Sequence, residues 1–208
     1  MIKRLLSLLA LLVFIGMGGW ACATSRAGYK EAVHRVLRRD GQVELRAYEA
    51  MQWVQVGMPT EAQRREGMNG GFMQLFGYIS GKNEGSRKIA MTTPVFMEDD
   101  PKQKVMSFVL PADLANAPAP KTAGVQLRQL PAMPVAALRF SGVSNPQIEA
   151  QKLEELRQWL KTQNLKPADA PALLAYYDPP WTPGPMRRNE VLLRLSAMPP
   201  ETPAAAKP

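Results

Sequence analysis

The sequence is poor in the residues that most metal and nucleophilic sites require. Its 208 residues include one cysteine and one histidine, which excludes a disulfide framework, a thiolate zinc site and a multi-histidine metal centre within one chain. A histidine-dependent general base or triad would have to use His34, which lies in a basic segment and is expected at the surface. The sequence also has no Gly-rich phosphate loop and no nucleophile elbow. Much of metal and acyl-transfer chemistry is therefore excluded.

The charge of the chain is positive but dispersed. Lys and Arg number 26, Asp and Glu number 18, and the formal net charge is +8. Without Lys3 and Arg4, which lie in the N-terminal segment, the net charge is +6. The other basic residues are scattered, with only short pairs and no basic run interleaved with aromatic residues, so we expect no nucleic-acid partner. The excess suits an acidic ligand or an anionic surface.

Residues 1–23 have the layout of a secretory signal. Two basic residues precede an almost wholly apolar run from Leu5 to Ile15, and small residues follow. We therefore expect the protein to be exported, either to the periplasm or to the membrane.

Three outcomes are open at the end of this segment. Ala21-Cys22-Ala23 is an A-x-A cleavage site, which would release a soluble protein beginning at Thr24. Residues 19–22 resemble a bacterial lipobox, with Cys22 as the lipidated residue, although Trp20 stands where a small residue is usual. An uncleaved anchor is the third outcome, since about eighteen residues would just span a bilayer.

An internal repeat organises the rest of the chain. Val43-Glu44-Leu45-Arg46 and a following Ala50-Met51 correspond, at an offset of 82 residues, to Val125-Gln126-Leu127-Arg128 and Ala132-Met133. Five of fourteen aligned positions are identical. Both segments alternate apolar and polar residues and are followed by a second apolar run, which predicts two strands joined by a turn.

A helix is predicted after each strand pair. In the first half an apolar stripe of helical period runs through residues 63–79, at Met68, Phe72, Leu75, Phe76 and Ile79. In the second half Asn145 is a candidate N-cap, Pro146 occupies the first helical position, and three leucines follow at helical spacing.

The repeat predicts an α+β fold. Further strands are expected at 89–97, 105–110, 173–177 and 191–195. Two pseudo-symmetric strand–strand–helix–strand–strand units would form a distorted, closed or nearly closed antiparallel β-barrel flanked by two helices. Residues 24–196 would form this domain, with a linker at 112–124 and a disordered Pro/Ala-rich tail at 197–208.

Several segments resemble the SOUL haem-binding protein family. They are Gly71–Asn83, Lys88–Val95 (KIAMTTPV), Val105–Pro111, Phe140–Gly142, Tyr177–Trp181 and Arg187–Val191 (RRNEV). The resemblance covers about residues 29–196 and implies a barrel flanked by two helices that binds haem or related tetrapyrroles non-covalently. Some animal members have a histidine proposed as a haem ligand where this sequence has Ala47. The chain is more similar to members that bind through an apolar surface with basic residues near the propionates.

The resemblance directs the choice of site residues. Within the matching segments, the predicted helix at 63–79 suggests Met68, Phe72 and Leu75 as an apolar wall. A flat macrocycle with carboxylates also needs cations. Arg64, Arg187 and Arg188 are the candidates for these, and Trp181, in a proline-rich loop, is a candidate for stacking.

Each of these residues also has a structural interpretation. The helix stripe would pack in the core, and Trp181 would cover a barrel end. Arg187, Arg188 and Glu190 would form a surface ion-pair cluster.

The sequence thus predicts an exported tetrapyrrole-binding protein without catalytic chemistry of its own, acting as a carrier, buffer or sensor. One alternative is an enzyme acting on a tetrapyrrole or another apolar substrate, with Glu190 and Tyr177 as an acid/base pair. The other is an envelope interaction protein that retains the fold and has lost the ligand.

Overall fold

A computed structural model describes residues 28–58, 64–100 and 103–199, and within these the side chains of residues 64–69 are not described. The predicted signal segment 1–23, with Cys22, and residues 200–208 of the predicted tail lie outside the described residues. The elements in chain order are β1 (Lys30–Glu31), β2 (His34–Asp40), β3 (Val43–Tyr48), β4 (Met51–Gly57), α1 (Arg64–Ile79), β5 (Thr92–Thr93), β6 (Val95–Glu98), β7 (Val105–Val109), β8 (Val125–Leu130), β9 (Met133–Ser141), α2 (Pro146–Thr162), β10 (Leu173–Tyr176) and β11 (Arg188–Arg194).

Nine strands form one antiparallel sheet in the order β2-β3-β9-β11-β10-β6-β7-β4-β8. Four strands of the first half have a counterpart in the second half: β3 corresponds to β8, β4 to β9, β6 to β10 and β7 to β11. Apart from β2, replacing every strand by its counterpart gives the same order read backwards, so the order is palindromic. The strands β3 and β8, the strands β4 and β9, and the two helices each begin 82 residues apart. The predicted duplicated α+β fold is therefore confirmed.

Two details differ from the sequence-based expectation. The sheet curls strongly into a half-barrel, and within the described residues its end strands β2 and β8 are each paired on one side only, so hydrogen bonding does not close the barrel. The strand expected at 89–97 is divided into β5 and β6 at Pro94, because proline has no N–H to donate to a ladder.

The sheet has a buried layer on each face. Both helices pack on one face, where Leu75 and Tyr78 of α1 and Leu156 and Leu160 of α2 are fully buried. The opposite face is packed mainly by strand side chains, centred on Trp53, which stacks on Phe96 at 5.1 Å between ring centroids. Within the described residues, neither helix is long and apolar enough to cross a membrane.

α2 begins as the sequence predicts. Asn145 has an extended backbone, and its side chain accepts a hydrogen bond from the N–H of Ile148 at 2.9 Å. Pro146 follows at the first helical position, where its missing N–H costs nothing.

Candidate functional site

Helix α1 exposes aromatic side chains to solvent. The rings of Phe72 and Phe76, one turn apart, lie nearly parallel (10°) with centroids 6.1 Å apart. Their exposed fractions are 36% and 43%, and the neighbouring Met73 is 59% exposed. An exposed apolar surface that is held in place by its own helix is a feature of binding sites.

A groove runs beside this aromatic pair at the C-terminal end of α1. It is open to solvent, has a volume of about 380 Å³ and is lined by Phe76, Ile79, Ser80, Lys88, Ile89 and Met91. Its far wall is fixed to the helix, because the backbone N–H of Ile89 donates to the carbonyl of Ile79 at 2.8 Å. The buried Ile79 and Ile89 make the base of the groove apolar, and the exposed Lys88 lies at its rim.

The buried side chain of Asn83 holds the turn that brings this wall back to the helix. Its amide nitrogen donates to the carbonyls of Tyr78 (2.7 Å) and Arg87 (2.8 Å), and its oxygen accepts from the N–H of Arg87 (2.9 Å). Three hydrogen bonds from one buried residue fix the positions of Lys88 and Ile89 beside α1.

Two lysines lie at this end of the helix. Lys88 is exposed at the groove, and Lys82 packs so closely against Gly77 that a Cβ there would lie 3.0 Å from the lysine Cδ. Among the described residues no carboxylate forms an ion pair with either lysine.

The pseudo-symmetric helix α2 provides an internal comparison. Counting 82 residues on, Phe72 corresponds to Glu154 and Phe76 to Gln158, both exposed. The Gln158 amide donates to the Glu154 carboxylate at 3.3 Å, as on an ordinary solvated helix face. The aromatic surface is thus a property of one half of the molecule and not of the fold.

The predicted α1 residues fall in different places. Phe72 lies on the exposed surface, whereas Leu75 is fully buried between α1 and the sheet. Arg64 and Met68 lie in the helix, but their side chains are outside the description.

The other predicted residues lie in the loop between β10 and β11. Trp181 is 78% exposed. Arg187 donates to the carbonyls of Thr182 (2.8 Å) and Pro180. Arg188 bonds Glu31 and Glu190, each at 2.9 Å. None of the contacts described for this loop reaches α1, so the structure does not join these residues to the groove.

Arg188 belongs to a buried polar cluster on the face opposite the helices. Arg46 forms two hydrogen bonds to the Glu190 carboxylate, at 2.6 and 2.9 Å, and the Tyr177 hydroxyl donates to it at 2.9 Å. The guanidinium of Arg188 lies over the Tyr177 ring, 3.7 Å from its centroid. Arg188 and Glu190 do pair, as the ion-pair interpretation expected, but Glu190 is only 1% exposed, so the cluster is internal.

The pair proposed for acid/base chemistry does come together here. Burial raises the pKa of the Glu190 carboxyl, but the hydrogen bonds and charge of Arg46, with the charge of Arg188, outweigh burial and hold that pKa below its ordinary value. Burial, with the nearby Tyr48 and Glu190, raises the pKa of Tyr177 well above its ordinary value. Near neutral pH the carboxylate is therefore ionised and the phenol is neutral, which suits a structural ion pair rather than proton transfer.

The repeat places a second arginine in the equivalent position. Arg128, 82 residues after Arg46, donates to Glu98 at 2.7 Å, and Arg194 donates to the other oxygen of that carboxylate at 2.6 Å. The Arg of the repeated motif therefore anchors a buried carboxylate in each half.

Sequence reasoning missed much of the groove. Phe76 was within the predicted stripe but was not selected as a site residue, and neither was Met91. Lys88, Ile89 and Met91 all lie in the KIAMTTPV segment on which the family resemblance rests, and this was the available signal.

Comparison with solved structures identifies proteins with a similar fold. A hydrolase from Listeria innocua is 14% identical, with a TM-score of 0.56 over 76% of this chain and 94% of that chain. A hydrolase encoded by lin2189 of the same organism is 16% identical, with a TM-score of 0.54 over 74% and 92%. The C-terminal domain of EcmrR is 10% identical, with a TM-score of 0.53 over 74% and 96%. At these identities the likeness shows the fold alone. No curated protein matches the chain.

The family comparison extends over most of the sequence. The family model described as SOUL heme-binding protein matches residues 29–194. This range contains every described strand and both helices, the aromatic surface of α1 and its groove. The chain belongs to the SOUL haem-binding protein family.

Proposed function

We propose that the protein binds haem or a related tetrapyrrole non-covalently on the exposed surface of α1 and in the groove beside it. A tetrapyrrole is a flat apolar macrocycle that carries carboxylates, so it requires an apolar or aromatic wall and nearby cations. The apolar wall is provided by Phe72, Phe76 and Ile89. The cations are provided by Lys82 and Lys88.

The observation that carries this proposal is the difference between the two helices. The fold alone explains an amphipathic helix on each half of the sheet, and α2 has one with a polar outer face. It does not explain why α1 has phenylalanines where α2 has Glu154 and Gln158. Phe72 also packs edge-on against the buried Phe108, at 5.2 Å between ring centroids, but it and Phe76 remain 36% and 43% exposed, and a ligand that covered them would remove this apolar surface from water.

Haem would also bring an iron centre that accepts an axial ligand. Among the residues that line the groove, Met91 has a side chain suited to that role. At the position of the histidine found in some relatives, Ala47 lies in β3 and packs against the helix-covered core. We therefore expect apolar contact and carboxylate pairing to supply most of the affinity, and iron-free protoporphyrin to bind as well.

We propose binding rather than catalysis as the role of this site. The ionisable pair suggested by the sequence, Glu190 and Tyr177, is held on the opposite face of the sheet in a cluster with Arg46 and Arg188. The layout of residues 1–23 supports export, and we propose a carrier, buffer or sensor in the cell envelope, attached to the membrane through Cys22 or an uncleaved anchor rather than released by cleavage after Ala23.

A titration followed by the Soret band tests the proposal. The purified chain should bind both haem and protoporphyrin with a stoichiometry of one. Phe76→Ser should weaken both by roughly tenfold or more, because a phenylalanine contact of this size contributes a few kcal/mol when it is buried.

Gln158→Ser is the matched control, since it alters the equivalent exposed position of α2 and should leave affinity unchanged. Equal affinity of Phe76→Ser and the parent chain would remove the α1 surface from the site. Absence of saturable binding of either tetrapyrrole would favour a protein that keeps the fold without the ligand.

A further inference from the structure

The loop between β10 and β11 is stiff and carries an exposed tryptophan. Residues 179–185 include four prolines, and a short 3-10 turn follows at Gly184–Met186. Asp178 accepts the backbone N–H of Arg188 at 2.6 Å, and the N–H of Thr182 donates to the carbonyl of Pro179 at 3.0 Å. Trp181 is 78% exposed on this loop. The loop's conformation is fixed before anything binds, so little conformational entropy is lost on docking.

Further apolar side chains lie against the loop. Val143, just beyond β9, is 58% exposed and packs on the loop, since a Cβ on Gly184 would lie 2.9 Å from its Cγ2. Met186 at the end of the loop is 52% exposed. We call Val143, Trp181, Met186 and Arg187 the tryptophan surface.

The surface also carries a positive charge. The hydrogen bonds of the Arg187 guanidinium go to the carbonyls of Thr182 and Pro180. In the part of the chain that the structure describes, no carboxylate forms an ion pair with it. Trp beside an uncompensated Arg is the combination favoured where the apolar and headgroup layers of a bilayer meet.

The first strand of the described chain contacts the residue next to this surface. Glu31 of β1 forms an ion pair with Arg188, the residue after Arg187, at 2.9 Å. Cys22 is six residues before Gly28, where the described chain begins, and six residues extend at most about 20 Å. A membrane attachment at or before Cys22 would therefore keep this end of the domain close to the bilayer.

We propose that the tryptophan surface docks on the anionic phospholipid bilayer to which the N-terminal segment attaches the protein. This inference rests on the membrane attachment included in the proposed function. Trp181 would lie at the interface between headgroups and acyl chains, and Arg187 would contact lipid phosphate. Docking would fix the orientation of the domain relative to the membrane, which a flexible tether alone would not do.

Brominated phospholipids test the proposal, because bromine on the acyl chains quenches tryptophan fluorescence only at short range. The full chain, with Trp20→Phe in every variant to remove the tryptophan of the N-terminal segment, is reconstituted into phosphatidylglycerol vesicles without haem. We expect clear quenching in this parent protein, loss of most of it in Trp181→Phe, and no loss of it in Trp159→Phe, where removing an unquenched tryptophan can only raise the quenched fraction of the emission. Trp159 is the control because it is held within the domain, with its indole N–H donating to Asp40 at 2.9 Å.

Quenching that persists in Trp181→Phe, or that is absent in the parent protein, overturns the proposal and leaves the surface to a protein partner. Circular dichroism of Trp181→Phe confirms that the fold is intact, as expected for so exposed a side chain. Haem binding is measured separately by the Soret titration, so failure of docking and failure of tetrapyrrole binding are distinguished.

Discussion

At the scale of single residues, the buried pair of Arg46 and Glu190 has the largest predicted effect on stability. Arg46 is 2% exposed and Glu190 1%. Removing Arg46 takes two charge-assisted hydrogen bonds from the buried Glu190 carboxylate and leaves it with Arg188 and Tyr177, and breaking a buried pair on one side costs more than the pair itself contributes. Arg46→Met should therefore lower the free energy of unfolding by about 3–5 kcal/mol in urea denaturation.

Arg39→Met is the matched control for this prediction. Arg39 also bonds a carboxylate, that of Glu44 at 2.6 Å, but its side chain is 67% exposed. An exposed pair contributes up to about 1 kcal/mol. The double variant Arg46→Met/Glu190→Leu should recover much of the stability lost in Arg46→Met. Equal losses for Arg46→Met and Arg39→Met would contradict the structural role of the buried cluster.

Arg46 and Glu190 also show what the sequence could not reveal about single residues. They are 144 positions apart, and no local pattern connects them. Their charged side chains gave no indication of burial, which is why Glu190 was interpreted as a surface residue or as an acid. Only the pairing of β3 and β11 with the same strand, β9, brings them together.

At the scale of elements, the start of α2 offers a direct measurement. Asn145→Ala removes the acceptor for the N–H of Ile148 and should destabilise the protein by about 1 kcal/mol. Asn145→Asp keeps an acceptor at the same place and should retain most of the stability. If both substitutions had the same effect in thermal denaturation, the side-chain cap would not account for the helix start.

Elements with a regular period were predictable, and those with an interrupted period were not. The helices and the strands of the repeat follow their apolar patterns closely. β2 was missed because a register shift between Val36 and Arg38 breaks its alternation. Within α1, the apolar stripe predicted the helix but did not separate Leu75, under the helix, from Phe72 and Phe76 at its exposed edge. Which side of the apolar stripe is buried depends on how the helix lies on the sheet, and the apolar pattern of the helix alone does not specify this.

At the scale of the whole molecule, the two halves cannot fold separately. β3 pairs with β9 of the second half, β4 with β8, and β6 with β10. Each half alone would therefore expose unpaired strands and part of the core. We predict that cleavage at a protease site inserted between Ala115 and Asn116, both exposed in the linker, leaves the folded protein intact.

The separated fragments should be unfolded alone by circular dichroism and should recover the native spectrum on mixing. An insertion at the same site without cleavage controls for the added residues. A fragment that folded cooperatively alone would show that one half is an independent unit.

The palindromic strand order gives the single chain the geometry of a homodimer whose subunits have been joined. A half-length chain with β3, β4, β6 and β7 already contains each edge needed to pair with a copy of itself. As two separate subunits, such an assembly would lose stability on dilution. The residues from Ala112 to Gly124 make association intramolecular, so folding no longer depends on protein concentration. Joining also ends the requirement that both copies be identical, so the two helices can differ, as Phe72 and Phe76 of α1 differ from Glu154 and Gln158 of α2.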